Sequence, residues 1–267
     1  MPLGYQVVFR AEDDRILAPD VGRRRAWSRA LLEHGGPHGL FGFGLGDTHG
    51  HAVLACERPA VSRFIHDLRS SLRSRLGVRL VDPSVRSIDD TWHAENALGY
   101  VHRQDVHHGV GADPFREGTS LPDLLGLRPR GLWLAERVRA LLPRVKRTDL
   151  LAHWGIEGLE PAFCLRQLAD AGAAAIAVSR LGGRGADVVQ ARRACVAAAP
   201  RDLSAADLAA ALGVATRTVR HCRGEPADPT LVRAVRLQMG LRALVAPPEQ
   251  GTFVRDGATF DYSHASV

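Results

Sequence analysis

Apolar and polar positions change period several times along the first hundred residues. The run from Gly4 to Arg10 predicts a strand, closed by a turn at Asp13-Asp14-Arg15. Asp20 is placed to cap a helix from Val21 to Glu33, which Gly35-Gly36-Pro37 ends. Gly39 to Gly44 predicts a second strand, and Gly46-Asp47 turns the chain into a third that carries His49 and His51. Arg58-Pro59 opens a helix through Leu76, with Val61, Phe64, Ile65, Leu68 and Leu72 at helical spacing. After Gly77, Val78 to Val81 predicts a fourth strand, and Asp89-Asp90 precedes a helix from Thr91 to Gln104.

This order is βαββαβ plus a further helix. It predicts an α+β fold with a ferredoxin-like palm, an antiparallel four-stranded sheet with helices on one face. Residues 111–130 turn to Pro, Gly and Asp and suggest a connector. Leu132 to Val145, Arg147 to Trp154 and Glu160 to Ala171 carry helical patterns, and the glycines around 182–185 mark a loop. Beyond the loop the pattern is wholly helical. Ser204 can cap a helix whose Leu208, Ala209 and Leu212 face inward. Gly213 makes a turn, Thr216 starts a second helix, and Val219 locks it to the first, a helix-turn-helix pattern. Basic helices flank it at Val188 to Ala199 and Pro229 to Leu244. The expected divisions are residues 1–111, 112–185, 186–245, and a tail at 246–267 with one short strand at Gly251 to Asp256.

The net charge of +6 points towards an acidic partner, nucleic acid first. Lys146 is the only lysine, so the basic surface is arginine, whose planar fork suits phosphate. Cys56, Cys164, Cys195 and Cys222 form no C-x-x-C pair and suggest free thiols in a reducing cytoplasm. No apolar run approaches a membrane span, so no membrane partner is expected.

The candidate chemistry starts at His49 and His51. Side chains at i and i+2 of a strand share a face, so the two imidazoles can converge on one metal ion. Tyr100 and Gln104 are four residues apart, hence on one face of the following helix. Gln104 offers a carbonyl oxygen to a metal and Tyr100 a phenolic oxygen one turn away, an arrangement suited to phosphoryl transfer through a covalent intermediate. Arg63, Arg69 and Arg73 are candidate backbone contacts to DNA, as are Arg192 and Arg193. Thr216, Arg217 and Arg220 would face the groove or the phosphates.

The strand-borne His-x-His, the βαββαβ order and the Tyr-bearing helix resemble the HUH-type single-tyrosine transposases. The stretch from Tyr100-Val101-His102 through Gln104-Asp105-Val106-His107-His108 to Gly109-Val110 is similar to that family's tyrosine segment. The helical C-terminal part resembles the tail of REP-associated members, which is similar to the DNA-binding domain of the replication initiator DnaA. The resemblance implies that His49, His51 and Gln104 hold Mg²⁺ or Mn²⁺. It also implies that Tyr100 attacks a strand of single-stranded or hairpin DNA to give a 5′-phosphotyrosyl link. Monomers and homodimers both occur among such proteins. Three positions differ from the family pattern: Gly50 replaces a bulky apolar residue, Asp47-Thr48 replaces Pro-Asn, and Gln104-Asp105-Val106 replaces Asn-Pro-Val. An unfilled space at Gly50 would cost about 1–3 kcal/mol. Two other readings compete: a sequence-specific DNA-binding protein that retains the first domain as a scaffold without catalysis, and a metal-dependent hydrolase of small phosphates.

Overall fold

A computed structural model describes residues 2–13, 15–104 and 113–245. Part of the tyrosine segment (residues 105–112), Asp14 of the expected first turn, and the whole tail with its expected strand lie outside the described residues. The described residues form an α+β structure with one four-stranded antiparallel sheet. Its strands are β1 (Gly4–Arg10), β2 (Leu40–Leu45), β3 (His49–Leu54) and β4 (Ser84–Ile88), in the order β2-β3-β1-β4.

The fourth strand is the main correction. Val78 to Val81 does not form it; Val78 and Leu80 are buried in the core, and Leu80 makes a single bridge to Ala11. The strand that pairs with β1 is the polar Ser84–Ile88, an edge strand with exposed Ser84 and Arg86. Apolar content marked what the chain buries, while the edge needed only backbone pairing on one side.

Helix α1 (Val21–Gly35) is capped by Asp20, whose side chain accepts from the Arg23 amide at 2.8 Å. Helix α2 (Arg58–Leu76) ends at Gly77, which takes the left-handed conformation at φ +64°. The two helices pack together against one face of the sheet, where Phe64 meets Phe9 edge to face at 6.1 Å. Helix α3 (Thr91–His102) is two residues shorter than expected and crosses the other face. Two glycines make this crossing possible. A Cβ on Gly44 would stand 1.8 Å from the Val101 carbonyl oxygen, and one on Gly42 would stand 2.5 Å from Leu98 Cδ1. The helix backbone therefore rests directly on β2.

Residues 113–159 are not a free connector. A short helix α4 (Leu121–Leu124), α5 (Leu132–Leu141) and α6 (Arg147–Ala152) bury Leu121, Leu124, Leu134, Val138, Leu150 and Leu151 in the same core as the sheet. The expected division at residue 112 thus does not coincide with a division of the core. The helix expected at 160–171 instead begins with a 3₁₀ turn at Leu165–Gln167 and continues as α7 (Leu168–Ala175).

A second core joins α7 to α8 (Ala186–Ala198), α9 (Ala205–Leu212), α10 (Thr216–Gly224) and α11 (Pro229–Val245). Helix α11 serves both cores: Leu237 and Leu241 face the first, Ala234, Val235 and Met239 the second. Beside it lies a buried charge network. Glu117 accepts from Arg25 (Nη2–Oε1 2.8 Å) and from Arg242 (2.7 Å), and both guanidiniums also reach Asp170. Two cations and two carboxylates balance, which is what burial of charge requires. Among the described residues no helix is long and apolar enough to cross a membrane.

Candidate active site

Strand register places the site. In β3, His49 pairs with Arg10 and His51 with both Val8 of β1 and Gly44 of β2. His49 and His51 therefore share the face that α3 crosses. Their ring centroids lie 4.9 Å apart. The Tyr100 ring stands 5.2 Å from the His51 ring and almost perpendicular to it, because α3 rests on the bare backbone of Gly44 opposite His51. Tyr100 is 37% exposed, with its ring held beside that of His51.

Gln104 follows the end of α3. Its amide nitrogen donates to the Tyr100 carbonyl at 3.4 Å, and the side chain is fully buried. Its Oε1 has no hydrogen-bond partner among the described residues. A Cβ placed on Gly46 would lie 3.4 Å from this oxygen and 3.2 Å from Cε1 of His49, so both groups look into the same small space. A buried carbonyl oxygen without a donor is costly, and a cation relieves that cost. Two imidazoles and one amide oxygen thus fit a divalent ion. Among the described residues no group of three or more His, Cys, Asp and Glu side chains gathers to hold a metal ion.

The space at Gly50 is filled. A Cβ there would meet Leu45 Cδ2 at 2.9 Å, with Leu17 Cδ1 behind it at 3.9 Å. Neighbouring leucines occupy the volume a bulkier residue would take, so the cost expected for a void does not arise. Asp47 holds the turn between β2 and β3 by accepting the Leu17 amide at its carbonyl, 2.9 Å.

His102 has a structural role. It is fully buried, its Nε2 lies 2.8 Å from Ser120 Oγ, and burial holds its imidazole well below the usual histidine range. Ser120 in turn bonds the Phe43 backbone on both sides, and Gly44 bridges to Thr119. Segment 118–120 thereby covers the free edge of β2 and locks the end of α3 to it. Two further contributors went unassigned in the sequence. Gly44 admits the helix, and Gln6 touches His51 Nδ1 at 3.2 Å. Their signals were a Gly-x-Gly in β2 and a polar residue inside an apolar strand.

The expected DNA-contacting residues fall into three groups. Arg63, Arg69 and Arg73 sit on α2, on the side of the sheet away from the histidines. Arg69 bonds Asp82 (2.8 Å) and the Leu80 carbonyl (2.9 Å), and with Arg73, Arg79 and His66 it lines a cleft of about 400 Å³. Arg192 and Arg193 are turned towards the protein. Arg192 donates to the carbonyls of Leu181 (3.0 Å) and Gly183 (3.0 Å), and Arg193 pairs with Glu225 at 3.4 Å. Arg217 and Arg220 are exposed on α10, with Thr216 half-buried at its start. Ser204 accepts from the Asp207 amide at 3.0 Å, Gly213 takes φ +63°, and Val219 is buried, so α9 and α10 meet through the residues the pattern named. Cys195 and Cys222 are buried free thiols, and burial pushes the Cys195 thiol up to about 12, far from a reactive thiolate.

No family model, no curated protein and no solved structure matches this chain.

Proposed function

We propose that this chain cleaves and rejoins a DNA strand through a covalent bond to Tyr100, in the manner of the HUH-type single-tyrosine transposases. The observation that carries the reading is the convergence, on one face of the sheet, of a half-exposed tyrosine, two histidines and a buried amide oxygen without a donor. The strand order β2-β3-β1-β4 supports a ferredoxin-like palm beneath that site. The α9–α10 pair, with Arg217 and Arg220 outward, supports a helix-turn-helix module that carries the chain to its DNA.

His49, His51 and Gln104 would hold the cation, Mg²⁺ or Mn²⁺, which supplies Lewis-acid stabilisation of charge on the phosphate. Tyr100 Oη forms a bond to phosphorus as the bond to the 3′-oxygen breaks. The phenolic proton passes to solvent at the exposed side of the ring, and the departing 3′-oxygen takes one from water. One phosphodiester replaces another, so the step reverses without nucleotide hydrolysis. The His51 ring and the seat of α3 on Gly44 fix the direction of the phenol, which is the positioning that such transfers rely on.

The test is a denaturing gel with 3′-labelled single-stranded and hairpin DNA from the gene's own flanks, in Mn²⁺. Wild type should give a labelled protein adduct, and Tyr100→Phe and His49→Ala should give none while still binding. Binding with no adduct from any form would replace this reading with a DNA-binding protein that uses the α9–α10 module alone.

A further inference from the structure

We propose that Gln6 sets the ring tautomer of His51 and so decides when that histidine is a ligand. The inference rests on the reading above, in which His51 holds the cation. Gln6 is a polar residue in the middle of β1, between Tyr5 and Val7. It shares the sheet face of Val8, the partner of His51, and its amide reaches the His51 Nδ1 diagonally across the strands at 3.2 Å.

A neutral imidazole has one donor and one acceptor nitrogen, so whatever meets Nδ1 decides the state of Nε2. With the Gln6 amide nitrogen donating to Nδ1, the ring proton sits on Nε2, and that buried nitrogen has no lone pair to offer. A half-turn of the same amide brings its oxygen to Nδ1. The ring then donates from Nδ1, and Nε2 presents its lone pair to a metal. Glutamine does both in the same volume. A carboxylate would only accept, locking the ligand form, and leucine would do neither. Partners of this kind behind a metal-bound histidine are worth about 10–100-fold in affinity.

The test titrates Mn²⁺ into the full chain without DNA and follows the free ion by electron paramagnetic resonance. His51→Ala serves as the reference for loss of a ligand. Gln6→Leu should bind about 10–100-fold more weakly than wild type, and Gln6→Glu should bind as tightly or more tightly. Long-range ¹H–¹⁵N spectra of wild type give a second reading that does not depend on any variant folding. The His51 proton should lie on Nε2 without Mg²⁺ and on Nδ1 with it. Wild-type affinity in Gln6→Leu, failure of Gln6→Glu to exceed Gln6→Leu, or an Nε2 proton in both spectra overturns the inference while leaving the metal site standing. Unchanged affinity in His51→Ala overturns the metal site and the inference together.

Discussion

The sheet region and the helical region after residue 168 solve the same problem by opposite means. In the helical region the buried contacts between α9 and α10 come from one stretch, Leu208 to Val219, joined by a single glycine turn. Its outward arginines follow from helical spacing alone. In the sheet region Gln6, Gly44, His51, Tyr100 and Ser120 come from β1, β2, β3, α3 and the segment beyond. They meet only because the strand register and a glycine-lined seat bring them there. An outward helix face can be written locally; a cluster of side chains drawn from five elements needs tertiary structure. The two regions are joined at the Arg25–Glu117–Arg242–Asp170 network, and that junction is where their independence can be broken most directly.

Glu117→Ala leaves two guanidiniums buried with only the half-exposed Asp170 between them. Removing one member of a buried ion network costs about 3–5 kcal/mol. If the network couples the regions, calorimetry will show one transition moved to lower temperature. Two separate transitions in wild type, with only one moved by the substitution, would make the regions independent units. Gln at the same position keeps part of the hydrogen bonding and should lie between.

The next largest effect is confined to the sheet. Gly44→Ala puts a methyl group 1.8 Å from the Val101 carbonyl, backbone against backbone, with no flexible side chain to yield. Forced overpacking of this kind costs about 1–3 kcal/mol. Helix α3 must lift, and Tyr100 with it. Adduct formation should therefore fall by more than the fraction unfolded, while DNA binding through α10 stays. An adduct yield that tracks stability alone would show that the seat on Gly44 has no part in aiming the phenol.

The same contrast explains what was legible in the chain before its structure. Helices α1 and α2 were legible because Asp20, Pro59 and Gly77 punctuate them and their apolar stripes are long. The turn at Gly213 and the cap at Ser204 were legible for the same local reasons. His49 and His51 share a face by strand periodicity, so that pair was legible too. The fourth strand was not. Ser84–Ile88 is polar because it lies at an edge, and an apolar neighbour, Val78 to Val81, imitated a strand while serving as core. The surroundings of Arg192 were unreadable for a different reason. Periodicity exposes Arg192 on its helix, but only tertiary structure shows the Leu181 and Gly183 carbonyls waiting for it. Gln6 was passed over because one polar residue in a strand has no meaning until register sets it beside His51.

A smaller effect separates the regions by the DNA contacts proposed for them. Arg217→Gln and Arg220→Gln leave the core untouched, since both side chains point to solvent. Each should lower the slope of log affinity against log salt by about 1 if it contacts a phosphate. Adduct formation at saturating DNA should be unchanged, which places recognition and chemistry in different regions. The reverse pattern, normal affinity with a lost adduct, would put these arginines in the active site.

The smallest effect reports how the sheet region locks α3. Burial depresses the His102 pKa, with His153, Arg116 and Arg103 adding to it, and neutral His102 is held by Ser120. The unfolded chain therefore binds a proton that the folded chain refuses. The sign is fixed: the contribution of this group is whole above about pH 6.5 and is lost as pH falls below that value. The loss grows as pH falls below that value, until the folded-state pKa is reached. His102→Gln keeps a polar group near Ser120 without a titrating proton. Urea unfolding at pH 7.5 and pH 5.5 should give wild type the steeper fall, with the difference between the two proteins opening only below about pH 6.5. Equal pH dependence in both would mean that His102 takes up its proton in the folded state and that the Ser120 contact survives it. The lock on α3 would then rest on the Gly44 seat alone.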